Sequence, residues 1–135
     1  MNIAQSPDMA PFKPEWIKMH HYDFKRINGQ NCLVKEKGDE EEIKPVEVYC
    51  GVDPASSLSS TADYFVVATM GIDSDNNKYI IDIYRDRISP AEQPQKLIET
   101  FKKYRPRRMK IETVGYQEAL RTAVRELMLK DNLYI

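Results

Sequence analysis

Two carboxylates stand where runs of strand character stop. Asp53 closes the alternating run Val46, Val48, Cys50, Val52, and Glu112 stands near the end of Met109-Lys110-Ile111-Glu112-Thr113. If those two strands lie side by side and run the same way, about 4.8 Å apart, their terminal side chains converge on one crevice. Two carboxylates held that close repel when both are ionised, which raises one pKa or recruits a divalent cation. Hard oxygen donors suit Mg²⁺ or Mn²⁺, and a pair of such ions can activate water and stabilise the leaving oxygen in phosphodiester hydrolysis. The plainer alternative stands beside this one. The chain carries 21 acidic residues, and most acids at strand ends face water or cap the next element.

The elements that must position these acids are legible from periodicity. Val46 to Asp53 alternates with the two-residue period of a strand. Tyr64 to Ile72 is rich in β-branched and aromatic residues, and Asp73-Ser74-Asp75-Asn76-Asn77 supplies turn formers before a third strand, Lys78 to Tyr84. Ser89-Pro90-Ala91-Glu92 has capping-box spacing, but Pro94 delays the regular helix to Gln93 or Pro94. Leu97, Ile98, Phe101 and Tyr104 then share a helical face that Pro106 ends, Met109 to Val114 makes a fourth strand, and Ala119, Leu120, Ala123, Val124, Leu127 and Met128 mark a last helix. The expected fold is α/β: a three-stranded antiparallel meander, a right-handed crossover helix, a fourth strand parallel to the first, and a helix.

Bulk properties narrow the class. A chain of 135 residues suits one main domain with appendages. A net charge of -1 excludes a global polycation, so any DNA contact must be local. Cys32 and Cys50 lack the spacing of a zinc, redox or disulfide framework and read as buried or idle thiols in a reducing compartment. No apolar run approaches the roughly 20 residues of a membrane span, and no signal peptide opens the chain, so a soluble, cytoplasmic protein is expected. Residues 1–45 read as a linker segment, partly disordered, with the charged run KEKGDEEEIK (35–44) as a solvated loop. The main domain is expected over 46–135. His20-His21 reads as part of the linker, because adjacent residues point apart and no third ligand follows.

Further polar residues qualify as site candidates. Asp63 and Asp82 are candidate supporting or substitute metal ligands: Asp63 opens the second strand, where turn hydrogen bonds are its ordinary role, and Asp82 alternates with Ile81 and Ile83 in a way that would allow it onto the face of Asp53. Arg105, Arg107, Arg108 and Lys110 cluster before the fourth strand, and Arg85 and Arg87 close the third. Such patches neutralise phosphates without reading sequence. They are equally the charges of an ordinary solvated loop.

Gly51-Val52-Asp53-Pro54-Ala55, the serine-rich stretch 56–61, and Asp63-Tyr64-Phe65-Val66-Val67 resemble the first nuclease strands of phage large terminases. The similarity continues through Tyr79-Ile80-Ile81-Asp82-Ile83-Tyr84-Arg85-Asp86-Arg87, through Ile111-Glu112, and into Gly115-Tyr116-Gln117-Glu118-Ala119-Leu120. Upstream, Phe12-Lys13-Pro14-Glu15-Trp16-Ile17 is similar to the segment joining the motor and nuclease domains of that family. The resemblance implies a ribonuclease H-like fold and a metal-dependent DNA endonuclease that cuts concatemeric viral DNA during genome packaging. It implies Asp53 and Glu112 as catalytic metal ligands, Mg²⁺ or Mn²⁺ as cofactor (two ions in a complete site), and double-stranded DNA as substrate. It also implies an ATPase motor, a small terminase subunit and a portal as partners. No G-x-x-x-x-G-K-[ST] phosphate loop occurs here. The family's third acid lies beyond a fifth strand, so the chain is expected to be a truncated piece with weak or absent activity. Two other readings stand: an inactive prophage remnant or packaging-complex interaction module, and another ribonuclease H-like nuclease such as a junction resolvase or transposase core.

Overall fold

The computed structural model describes residues 14–54, 64–112, 117–131 and 133. After a 3₁₀ turn at Pro14–Trp16, β1 (Asp23–Ile27), β2 (Gln30–Lys37) and β3 (Glu40–Pro45) pair antiparallel in the order β1-β2-β3. Asn28 and Gly29, both at positive φ (51° and 80°), make the two-residue turn that Asn-Gly favours, and Gly38 takes φ 61° in the second turn. This corrects the reading of residues 35–44 as a solvated loop, since they belong to the β2–β3 hairpin. Opposite charges sit across the strands, with Lys37 and Glu42 3.2 Å apart, and Cys32, Leu33 and Val34 are buried. A charged run needs only a partner strand and one covered face, which composition does not register.

The second sheet has the expected connectivity. Its strands β4 (Glu47–Asp53), β5 (Phe65–Ile72), β6 (Lys78–Asp86) and β7 (Arg108–Ile111) lie in the order β6-β5-β4-β7. The first three form an antiparallel meander, and β7 joins β4 in parallel after α1 (Gln93–Tyr104). Last comes α2 (Gln117–Lys130). This mixed sheet with its crossover helix is a ribonuclease H-like arrangement.

Helix α1 begins where Pro94 permits. The Glu92 carboxylate accepts the Ser89 amide at 3.1 Å, which completes one half of the anticipated capping box, and the helix proper starts at Gln93. Arg105 ends it in the left-handed region (φ 45°). The carbonyls left over at this end are taken by the first sheet: Asn31 Nδ2 donates to Tyr104 O at 2.8 Å and to Arg105 O at 3.3 Å. Leu33, Val46, Val48 and Tyr104 bury the junction between the two sheets.

The larger core lies between one face of the four-stranded sheet and both helices. It gathers Cys50, Val52, Phe65 and Val67 with Leu97, Ile98, Phe101, Leu120, Val124 and Met128. Each fully buried aliphatic or aromatic side chain there contributes about 1.5–3 kcal/mol before the entropy of ordering is subtracted. Lys102 and Asp131, 3.0 Å apart, tie the end of α2 to α1. Asp131 is thus the helix-end residue its position suggests.

Gly71 lies at a close approach in this packing. An added Cβ would meet Ile81 Cδ1 at 3.1 Å and Val46 Cγ2 at 3.2 Å. Gly71→Ala is expected to destabilise by about 1–3 kcal/mol through overpacking. Urea denaturation reads this directly, and an unmoved midpoint would refute it.

Asp73 organises the β5–β6 turn. Its Oδ1 accepts the amides of Asp75 and Asn77, both at 2.9 Å, and its Oδ2 accepts Asn77 Nδ2 at 3.1 Å and the Tyr79 hydroxyl at 2.9 Å. Desolvation alone would raise this carboxyl, but the hydrogen bonds from Asn77, Tyr79 and Asp75 outweigh it and hold the pKa below the ordinary aspartate value. A depressed folded pKa gives stability that is present above the unfolded value and disappears as pH falls through the folded one. Acid unfolding below about pH 4 should therefore have a shallower dependence in Asp73→Asn. Superimposable stability curves for the two proteins would refute that role.

Candidate active site

Register settles where the two strand-end acids stand. Val52 pairs with Ile111, and the Glu112 amide continues the ladder by donating to Val52 O at 3.1 Å. One residue further along both strands come Asp53 and Glu112, at the tips of parallel neighbours about 4.8 Å apart. In β4, buried Val48, Cys50 and Val52 alternate with outward Glu47, Gly51 and Asp53. In β7, Met109 and Ile111 pack toward the helices while Arg108 and Lys110 are exposed. Asp53 and Glu112, both exposed, therefore share the sheet face opposite the helices.

That face is an ordered grid. Across the tip row, Asp53 pairs with Val66, and Val66 with Arg85. The next row runs Lys110, Gly51, Ala68, Ile83, and the one behind it runs Arg108, Tyr49, Met70, Ile80. Small residues stand behind the acids, and a Cβ added at Gly51 would meet nothing within 4 Å. Among the described residues the sheet surface is therefore low beside the carboxylates. Ile80 and Ile83 are 50% and 58% exposed, so that part of the face meets solvent among the described residues.

Asp82 lies elsewhere, so the place on the face of Asp53 that its alternation would allow is not the one it takes. It pairs with Thr69, which pairs with Cys50, so all three belong to the helix-covered face. There Asp82 lines a cleft with Tyr84, Lys96, Glu99 and Lys103. Parity within a strand fixes only relative sides; the pairing register fixes which side is which. Asp63 lies outside the described residues.

The basic candidates divide into groups. Arg108 and Lys110 stand on the acid-bearing face, with Arg85 in the acid row and Arg87 one step beyond. Arg105 and Arg107 sit at the opposite end of β7, and Arg107 is bound to Glu47 at 2.8 Å. They do not join the acids. His20, expected in a linker, instead contacts the Ile80 carbonyl at 2.7 Å and stacks edge-on with Tyr79. Cys32 and Cys50 are free and buried, and burial pushes the thiols of both upward.

Sequence reasoning passed over Tyr64. The guanidinium carbons of Arg85 and Arg87 lie 3.6 and 4.7 Å from its ring centroid. The signal was available in the shared parity of Tyr64 with Val66 and of Arg85 with Arg87, once the hairpin register is known.

By donor type the acid pair fits a divalent ion. Mg²⁺ is held by one or two carboxylates and otherwise by waters and substrate phosphate oxygens, and both carboxylates here are exposed and on one face. Among the described residues, no group of three or more His, Cys, Asp or Glu side chains comes together. No helix among the described residues is long and apolar enough to cross a membrane.

Comparison with known families places this chain among terminase domains. The family model described as "Terminase RNaseH-like domain" matches residues 50–133, more than half the chain. That stretch contains Asp53 and Glu112 and leaves out the three-stranded sheet. Neither the curated proteins nor the solved structures contain a match.

Proposed function

Because the chain belongs to the terminase RNaseH-like domain family, we propose that it acts as a metal-dependent endonuclease on double-stranded DNA during viral genome packaging. The observation that carries this reading is the placement of Asp53 and Glu112 on one face, at the tips of adjacent parallel strands, inside the matched segment. Residues 46–135 would constitute the nuclease portion, with the preceding residues leading in from a motor domain. The working place is the host-cell cytoplasm, with a small terminase subunit and a portal as further partners.

Asp53 and Glu112 would hold Mg²⁺ or Mn²⁺. When bound, such ions supply an activated water and neutralise charge at the leaving oxygen. The residues of the chain do the rest. The Glu112–Val52 hydrogen bond keeps the two tips in register, so the oxygen donors are set by backbone rather than by a loop. Gly51 and Ala68 keep the surface behind them low enough for a duplex to approach. Arg85, Arg108 and Lys110 place positive charge on the same face, where it would offset phosphate charge without reading bases.

Calorimetric titration with Mn²⁺ tests the site, with binding expected in the wild type and lost in Asp53→Asn. Cleavage of plasmid and of four-way junction DNA tests the substrate. A terminase nuclease should cut plain duplex with little sequence preference, whereas marked preference for the junction would favour a resolvase. A second reading, an interaction module without cleavage, is favoured by one observation: only two acids converge among the described residues. Mn²⁺ binding without cleavage of any substrate is its expected signature.

A further inference from the structure

The strand tips carry a second feature on the acid-bearing face. Phe65 pairs with Asp86 and faces the core, so Tyr64 and Arg87 fall on the opposite side, just beyond the Val66–Arg85 pair. There the two guanidiniums gather on one half-buried ring, at 3.6 and 4.7 Å from its centroid. Asp86, between them in sequence, does not neutralise them. Its carboxylate accepts the Arg87 amide at 2.8 Å and faces Tyr84 on the other side of the sheet. The ion pairs formed by the described residues leave Arg85 and Arg87 without a carboxylate partner.

Two cations brought to one aromatic face repel each other, and a cation–π contact at an exposed position returns only about 0.5–1 kcal/mol each. Among the described residues, then, no carboxylate offsets the pair, and the two forks are available to an anion. Guanidiniums present flat forks of N–H donors, the geometry that grips phosphate oxygens in pairs, and the ring beneath limits their rotation. Val66 intervenes between Arg85 and Asp53, so the backbone that carries Arg85 stands two strand spacings, about 10 Å, from that of Asp53. That distance matches the axial rise of about three nucleotides of a duplex.

We infer that Tyr64, Arg85 and Arg87 form a backbone-phosphate subsite that holds the DNA about three nucleotides from the acid pair and so aims it across the strand tips. The inference rests on the nuclease reading for naming DNA as the occupant. Tyr64 acts as a positioning residue, since it orders the two forks without contacting the reacting atoms.

The test is equilibrium binding of a short fluorescein-labelled DNA duplex in EDTA, followed by anisotropy over a salt series. The Arg85→Gln/Arg87→Gln double variant should bind about tenfold more weakly, with its log K against log salt slope reduced by about 2. The Arg85→Lys/Arg87→Lys variant should keep the slope and lose affinity, because charge remains and the forks do not. Tyr64→Leu should weaken binding about threefold with the slope unchanged. Wild-type slope and affinity in the Gln double variant, undiminished affinity in the Lys one, or no duplex binding by the wild type would each overturn the subsite. Failure of the nuclease reading looks different: DNA is not cut with Mn²⁺, yet the change in slope persists.

Discussion

Asp53→Ala and Glu112→Ala are each expected to lower Mn²⁺-dependent nicking of supercoiled plasmid by on the order of 10²–10³-fold, the range found when one preorganised charge-stabilising group is removed. The two acids come from different elements, separated in sequence by the whole meander and α1, and meet only because β7 docks in parallel beside β4. Each variant leaves a lone carboxylate where the pair would offer the ion two, which weakens its hold and no longer fixes its place beside the substrate phosphate. The double variant should be no worse than either single one, since residues that act as a unit are not additive. Asp82→Ala is the internal control. Its side chain lies on the helix-covered face, so its nicking rate should match the wild type. Equal residual nicking by the wild type and the Asp53 and Glu112 variants would remove the enzymatic assignment, and a dead Asp82→Ala protein with an unchanged fold would move the site to the other face.

Phe65→Ala carries the largest expected effect on stability, about 3–5 kcal/mol. Phe65 is fully buried at the start of β5, sits in the core between sheet and helices, and meets Tyr84 edge-on with ring centroids 6.2 Å apart. Removing the ring leaves a cavity that strand backbones on either side cannot close without losing register. A loss of that size is a large fraction of the 5–15 kcal/mol typical of a domain. Chemical denaturation of the two proteins measures it, and a difference under about 1 kcal/mol would mean that β5 is not anchored as described. The same residue lies between Tyr64 and Val66, so surviving folded Phe65→Ala should also show looser DNA binding than its intact acids predict.

Much of the architecture was readable because it is local. The alternation from Val46 to Asp53, the turn formers at 73–77, and the proline-delayed helix with its apolar stripe each reflect backbone geometry acting over a few residues. The first sheet was missed for a reason of the same kind. Its strands depend on Lys37 meeting Glu42 and on Asn31 reaching the end of α1, contacts that composition does not contain. Asn28-Gly29 was the available local signal for its first turn.

What the chain determines by itself is the set of elements from β4 onward and the two acids at their ends, since periodicity and breakers act along the backbone. The tertiary structure alone decided sidedness: pairing register puts Asp53, Glu112 and Arg85 on one face, sends Asp82 to the other, and brings two arginines onto Tyr64. A side chain's parity is a property of its own strand, whereas the face it shares with a distant residue is set by how strands dock, and a slip of one residue would reverse it.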